Sequence, residues 1–238
     1  MSNVKNLQSL EKLLGICTGL GGSYNPGNQN LQVKAMATLL SQAQTVLSEV
    51  DTARTGFEVA TNAREQAFGT LRPLTTRIIS ALIAGGAMPQ TVADARTMSR
   101  KMYGRVMADR APVPLEGEEK PKTKRRARGT DYSSLVAHFA KLLETVSASP
   151  RYKTNEQELM VESLKKYLAN LQKHNSSVID ATVSWQEARR KRNEVFYQLD
   201  KNLYDVGQRS KQYVKSLFGF SSSEYQTVRK IRFTKPRV

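Results

Sequence analysis

A single cysteine, Cys17, in 238 residues leaves no internal disulfide and no zinc site built on several thiolates. Two histidines, His138 and His174, leave little for metal binding or acid–base work, and neither has a second ligand at helical spacing. No Gly-x-Ser-x-Gly, His-Glu-x-x-His or Walker pattern occurs. Cys17 has Lys12 as its only basic neighbour and no histidine nearby in sequence, so a reactive thiolate is unsupported. The expectation is a protein that is not an enzyme and carries no metal or cofactor. Long apolar runs are missing too. Ile78–Met88 is interrupted by Ser80, Gly85 and Gly86 and is too short to span a bilayer. Glu11 and Lys12 break the apolar start, so no signal segment is expected and a cytoplasmic location is. Alternating β-branched residues are absent, which argues against strands. Acidic residues are few: 21 against 37 lysines and arginines, a net charge of +16.

An internal repeat is present. Sliding the chain by 128 residues aligns 24–71 with 152–199 and gives thirteen identities in 48 positions, among them Tyr24/Tyr152, Leu31/Leu159, Val33/Val161, Arg64/Arg192 and Phe68/Phe196. Phe57 meets Trp185. We read two copies of one unit, 1–110 and 131–238. Between them, 111–130 holds three prolines, two glycines, six basic residues and one large apolar residue, and reads as a basic linker.

Both copies read as helical. Positions 36, 43, 50, 57, 64, 71 and 78 interleave with 39, 46, 53, 60, 67, 74 and 81, and only Arg64 of the fourteen is not apolar. In the second copy His174, Arg192, Asn202 and Arg209 break the matching stripe. The spacing predicts about four helices per copy: a short one near 4–17 or 133–147, a second from about 29 or 155, a third ending near 84 or 218, and a short fourth. Pro73 starts or kinks a helix, and Asn175–Ser177 offers a cap within the second copy. Pro89 opens the fourth helix of the first copy, and Ser221-x-x-Glu224 reads as a capping box for its counterpart. The fold expected is all-α, a tandem duplication of a helical bundle.

Glycine-rich 15–27 lacks the lysine of a phosphate-binding loop and follows a helix, so it reads as a helix stop. Arg64 and Arg192 share one stripe position. A structural role, reaching the surface or bonding helix-end carbonyls, is favoured over an internal anion site.

Charge is uneven: net +5 in 1–110, +2 in the linker through Asp131, and +9 in 132–238. Three basic clusters stand out. The linker carries Lys120, Lys122, Lys124, Arg125, Arg126 and Arg128. Arg189, Arg190 and Lys191 form the second, and the tail supplies Arg229, Lys230, Arg232, Lys235 and Arg237. Nine of the seventeen aromatic residues fall between Trp185 and Phe233. Cations interleaved with rings suit nucleic acid or another polyanion, bound by charge and shape rather than sequence. The competing reading is a solvated helix face with the rings in the core. Tyr197, Tyr204, Phe218 and Phe220 cannot all face one narrow stripe. A second function class is a structural or assembly subunit whose bundles pack against other protein chains.

Tyr213, Val214, Lys215, Phe218, Gly219, Ser222, Tyr225 and Val228 form a Tyr-Val-Lys-x-x-Phe-Gly-x-x-Ser-x-x-Tyr-x-x-Val pattern. It resembles the ends of a set of uncharacterised bacterial helical-bundle proteins. The resemblance covers about one tenth of the chain and implies a helical bundle and a bacterial source, but no activity.

Overall fold

Helix starts in this chain are set by short polar side chains that accept from the first free backbone N–H groups. Asp131 takes the Ser134 amide, Asn202 the Asp205 amide and Ser222 the Tyr225 amide. Pro89 occupies the first turn of its helix, where a missing N–H costs nothing. The computed structural model describes residues 2–104 and 131–235. They form α1 (Ser2–Gly19), α2 (Val33–Gly69), α3 (Leu71–Ala84), α4 (Pro89–Met102), α5 (Tyr132–Ser147), α6 (Val161–Asn193), α7 (Leu203–Phe218) and α8 (Ser223–Arg229). No strand occurs among the described residues. The linker 111–130, with its six cations, lies outside them.

Two local signals resolve differently from expectation. Asn175–Ser177 caps nothing: it lies inside α6, which runs unbroken for 33 residues. Its polar groups are met there, Asn175 donating to Ser133 and Ser177 to the Lys173 carbonyl. The cap of α8 is Ser222, one residue after Ser221, and Glu224 accepts from Ser223 instead of closing a box. Pro73 sits in the first turn of α3, as its missing donor requires.

The chain divides into two compact units: residues 1–57 with 181–238, and residues 58–180. These boundaries are not those expected from the repeat, 1–110 and 131–238. Each unit combines the opening elements of one half with the closing elements of the other. The reason is helix length. At 1.5 Å per residue, the 37 residues of α2 separate its ends by about 55 Å, too far for both to share one core.

The first unit packs α1, the start of α2, α7 and α8. Its buried core includes Leu10, Leu13, Met36, Phe196, Leu203, Val214 and Val228. The second packs the end of α2, α3, α4, α5 and the start of α6, around Leu71, Ile78, Leu82, Met102, Phe139, Leu142 and Leu164. The same device occurs in each. Tyr24 donates its hydroxyl to the Leu31 carbonyl at 3.0 Å, and Tyr152 to the Leu159 carbonyl at 2.8 Å. Both bonds clamp a 3₁₀ turn, Gln29–Leu31 or Gln157–Leu159, immediately before a long helix. Burial holds both phenols above their ordinary pKa, so they remain donors.

The apolar stripe is the buried face. None of the fourteen positions named in α2 and α3 is exposed. In the second half the stripe slips. After Asn193 the chain makes one π-helical turn, Glu194–Gln198, and breaks before Asn202 caps α7. α7 therefore begins 132 residues after α3, not 128. Shifted by four, Leu203, Val206 and Ser210 occupy the places of Leu71, Leu74 and Ile78, while Arg209 is exposed. Asn202 is then the buried cap of α7, and Arg209 falls off the buried face.

Candidate nucleic-acid interface

The structure gathers two of the three basic clusters in one compact unit. Arg189, Arg190 and Lys191 are successive residues of α6, all exposed. At 100° per residue they fan over more than half of the helix circumference and cannot share one contact. The Arg189 guanidinium lies 5.4 Å from the Trp185 ring centre, one turn back. Arg190 approaches Glu194 at 3.9 Å, but the arginine side chain is largely in water, so this long contact leaves most of its charge available. Arg192 is half-buried and donates to the Asn193 side chain at 2.8 Å. Burial first, and Arg189 second, lower its pKa. Arg64 lies 3.9 Å over the Tyr132 ring. The two stripe arginines, both only partly buried, thus meet a tyrosine ring and an asparagine side chain respectively.

The tail cations stand on an anchored backbone. Arg229 closes α8, Lys230 caps its end in helical conformation, and Arg232 and Lys235 follow beyond it. From 231 to 234 burial alternates: Ile231 and Phe233 turn inward while Arg232 and Thr234 stay exposed, and Lys235 is exposed as well. Asn6, fully buried on α1, donates to the Thr234 carbonyl at 2.7 Å and accepts from its amide at 2.9 Å. Ser9 donates to the Arg232 carbonyl, and Lys211 to the Ile231 carbonyl. Tyr197 joins Asn6 and Asn3, which ties the π-helical turn to the same anchor. Lys235 lies 5.9 Å from the Tyr204 ring. Arg237 and the linker cations Lys120, Lys122, Lys124, Arg125, Arg126 and Arg128 lie outside the described residues.

The rings divide. Tyr197, Tyr204 and Phe218 are half-buried against the core of this unit, as the competing reading required. Phe220 is 53% exposed. The C-terminal pattern has a packing explanation as well. Val214, Tyr225 and Val228 are buried, Gly219 ends α7 at φ +86°, and Ser222 caps α8.

Charge follows the compact units and not the sequence halves. The described residues of the first unit carry sixteen cations and eight acids, those of the second twelve and nine. No group of histidine, cysteine and acidic residues able to hold a metal occurs among the described residues. No helix there is long and apolar enough to cross a membrane. No family model, curated protein or solved structure matches the chain.

Proposed function

We propose that this is a non-enzymatic, polyanion-binding helical protein, most readily a nucleic-acid binder that acts by charge and shape. One observation carries the reading. Arg229, Lys230, Arg232 and Lys235 are exposed on a backbone fixed by Asn6, Ser9 and Lys211, in the unit with net +8. Fixed cations lose little freedom when they meet phosphates, so their Coulomb attraction is not spent on ordering the chain. The second cluster, Arg189, Arg190 and Lys191, adds charge to that same unit. The linker cations and Arg237 extend the contact set, and a cytoplasmic, bacterial setting belongs to the same reading.

We also infer that the chain arose by tandem duplication. The paired Tyr24 and Tyr152 clamps, at matching positions and bonding to matching leucine carbonyls, support it.

The test is fluorescence anisotropy with labelled oligonucleotides across a salt series. Neutralising about six phosphates makes affinity fall roughly a thousandfold between low and moderate salt. Replacing Arg189, Arg190 and Lys191 with glutamate should abolish binding; unchanged affinity would remove that cluster from the contact set. The assembly reading is favoured by Ile179 and Val183, 56% and 48% exposed one turn apart on α6. It requires particles that persist at high salt without nucleic acid, and a strict monomer by light scattering would count against it.

A further inference from the structure

An exposed aromatic ring flanked by cations, on a fixed loop, is the feature the charge argument leaves unused. Phe220 follows the end of α7 and exposes half of its surface. The Arg229 guanidinium lies 5.2 Å from its ring centre and the Lys215 ammonium 5.6 Å. The loop is held from several sides. Gln226 donates to the Phe220 carbonyl at 2.7 Å, and Ser222 to the Gly219 carbonyl at 3.1 Å. Tyr225, buried beneath, packs against the ring at 5.7 Å. Gly219 at φ +86° makes the turn, a conformation that a side chain would strain.

Resting on the polyanion reading, we propose that Phe220, with Lys215 and Arg229, is a stacking platform for an unpaired base of single-stranded nucleic acid. A ring presents a face that any unpaired base can cover, and Arg229 and Lys215, which sit over the ring in this structure, swing out to the phosphates on either side as the base takes their place. A duplex offers no such base face, because its bases are already stacked. A lipid surface would want a broad apolar face. α7 has spent its own on the core through Leu203, Val206 and Val214, and the ring is bracketed by charge instead. The platform reads no sequence, in keeping with binding by shape.

The experiment compares labelled single-stranded oligothymidylate and oligouridylate with a duplex of equal length. Wild type, Phe220→Ala and Phe220→Leu are each measured across a salt series. We expect both variants to bind either single strand about tenfold more weakly, the range expected for one lost stacking contact. Duplex affinity and the salt slope should stay as in wild type, and Phe220→Trp should restore single-strand binding. The ring is half in water, and matching thermal melts establish that the variants fold. Wild-type affinity in Phe220→Ala overturns the platform, as does equal loss on single strand and duplex. If that result comes with loss of binding in the Arg189, Arg190 and Lys191 charge reversal, the platform alone fails and the polyanion reading stands. A wild-type protein that binds no oligonucleotide fails both. Ring-dependent binding to phosphatidylserine vesicles without single-strand preference would assign the loop to a membrane surface and overturn the proposal.

Discussion

Replacing Gly207 with alanine should change the sign of its effect according to what stands at position 233. Gly207 is buried within α7, and a methyl there would lie 2.5 Å from the Phe233 Cζ and 2.7 Å from both Cε atoms. The corresponding place in the other unit uses a different division of volume. There the Thr75 hydroxyl lies 3.9 Å from the Met102 sulfur, at the end of α4. Glycine opposite phenylalanine and threonine opposite methionine fill similar space.

Two opposed terms follow. Alanine is better than glycine in a helix interior by about 1 kcal/mol. Overpacking a buried contact costs about 1–3 kcal/mol, and expelling the ring instead would forfeit about 1.5–3 kcal/mol of burial. With Phe233 present, Gly207→Ala should therefore destabilise by about 1 kcal/mol. In a Phe233→Ala background the obstacle is gone, and the same change should stabilise by about 1 kcal/mol. The resulting coupling of about 2 kcal/mol lies within the range seen for residues in contact. Urea unfolding followed by Trp185 fluorescence suits the measurement, because Trp185 belongs to the same compact unit. If Gly207→Ala stabilises both backgrounds equally, the tail does not dock over α7, and the fixed presentation of Arg232 and Lys235 goes with it.

Other expectations are simpler to check. Tyr24→Phe and Tyr152→Phe each leave a buried leucine carbonyl without its donor and should each cost about 1–3 kcal/mol in urea melts. Equal costs are expected, since the clamps match; a loss in only one would show that the two turns are held differently. Gly85→Ala should destabilise by about 2–3 kcal/mol, because its methyl would fall on the Arg151 carbonyl oxygen, which is backbone and cannot swing away. His138 has a lowered pKa, chiefly from burial and then from Lys101 and Lys141, with Asp131 opposing them. The unfolded chain therefore takes up its proton first as pH falls. Stability should drop on acidification from about pH 6.5, the unfolded value, down to the folded pKa, and His138→Gln should flatten that slope.

The long helices were legible because burial follows the stripe residue by residue from Met36 to Ala81. Two features were not legible. A repeat gives each half the same apolar face, so periodicity alone cannot say whether α3 closes on the opening elements of its own half or of the other. Only the continuity of α2 through Pro-free residues 33–69 decides it, and no local signal announces that continuity. The four-residue slip before α7 was hidden for a related reason. A π-helical turn keeps helical composition, so Glu194–Gln198 looks like ordinary helix, and a fixed shift of 128 carried the comparison one turn out of step. The site was half legible. The cations showed in the sequence, but the anchor did not. Asn6 lies 228 residues from Thr234, and a lone asparagine in a first helix carries no sign of its partner.

Cross-half assembly also changes what the charge asymmetry means. Counted by sequence halves, the excess sits with the second half. Counted by compact units, it sits with one bundle, which takes α1 and the start of α2 from the first half. Those opening elements supply few cations but hold the tail through Asn6 and Ser9. The two halves therefore contribute differently to the proposed surface: the second brings the charge, and the first brings part of the framework that fixes it. Substitution of Asn6 on α1 should consequently weaken polyanion binding without removing a single positive charge. A purely additive charge mechanism predicts no such effect, and measuring affinity for Asn6→Leu beside Arg232→Gln at one salt concentration separates the two.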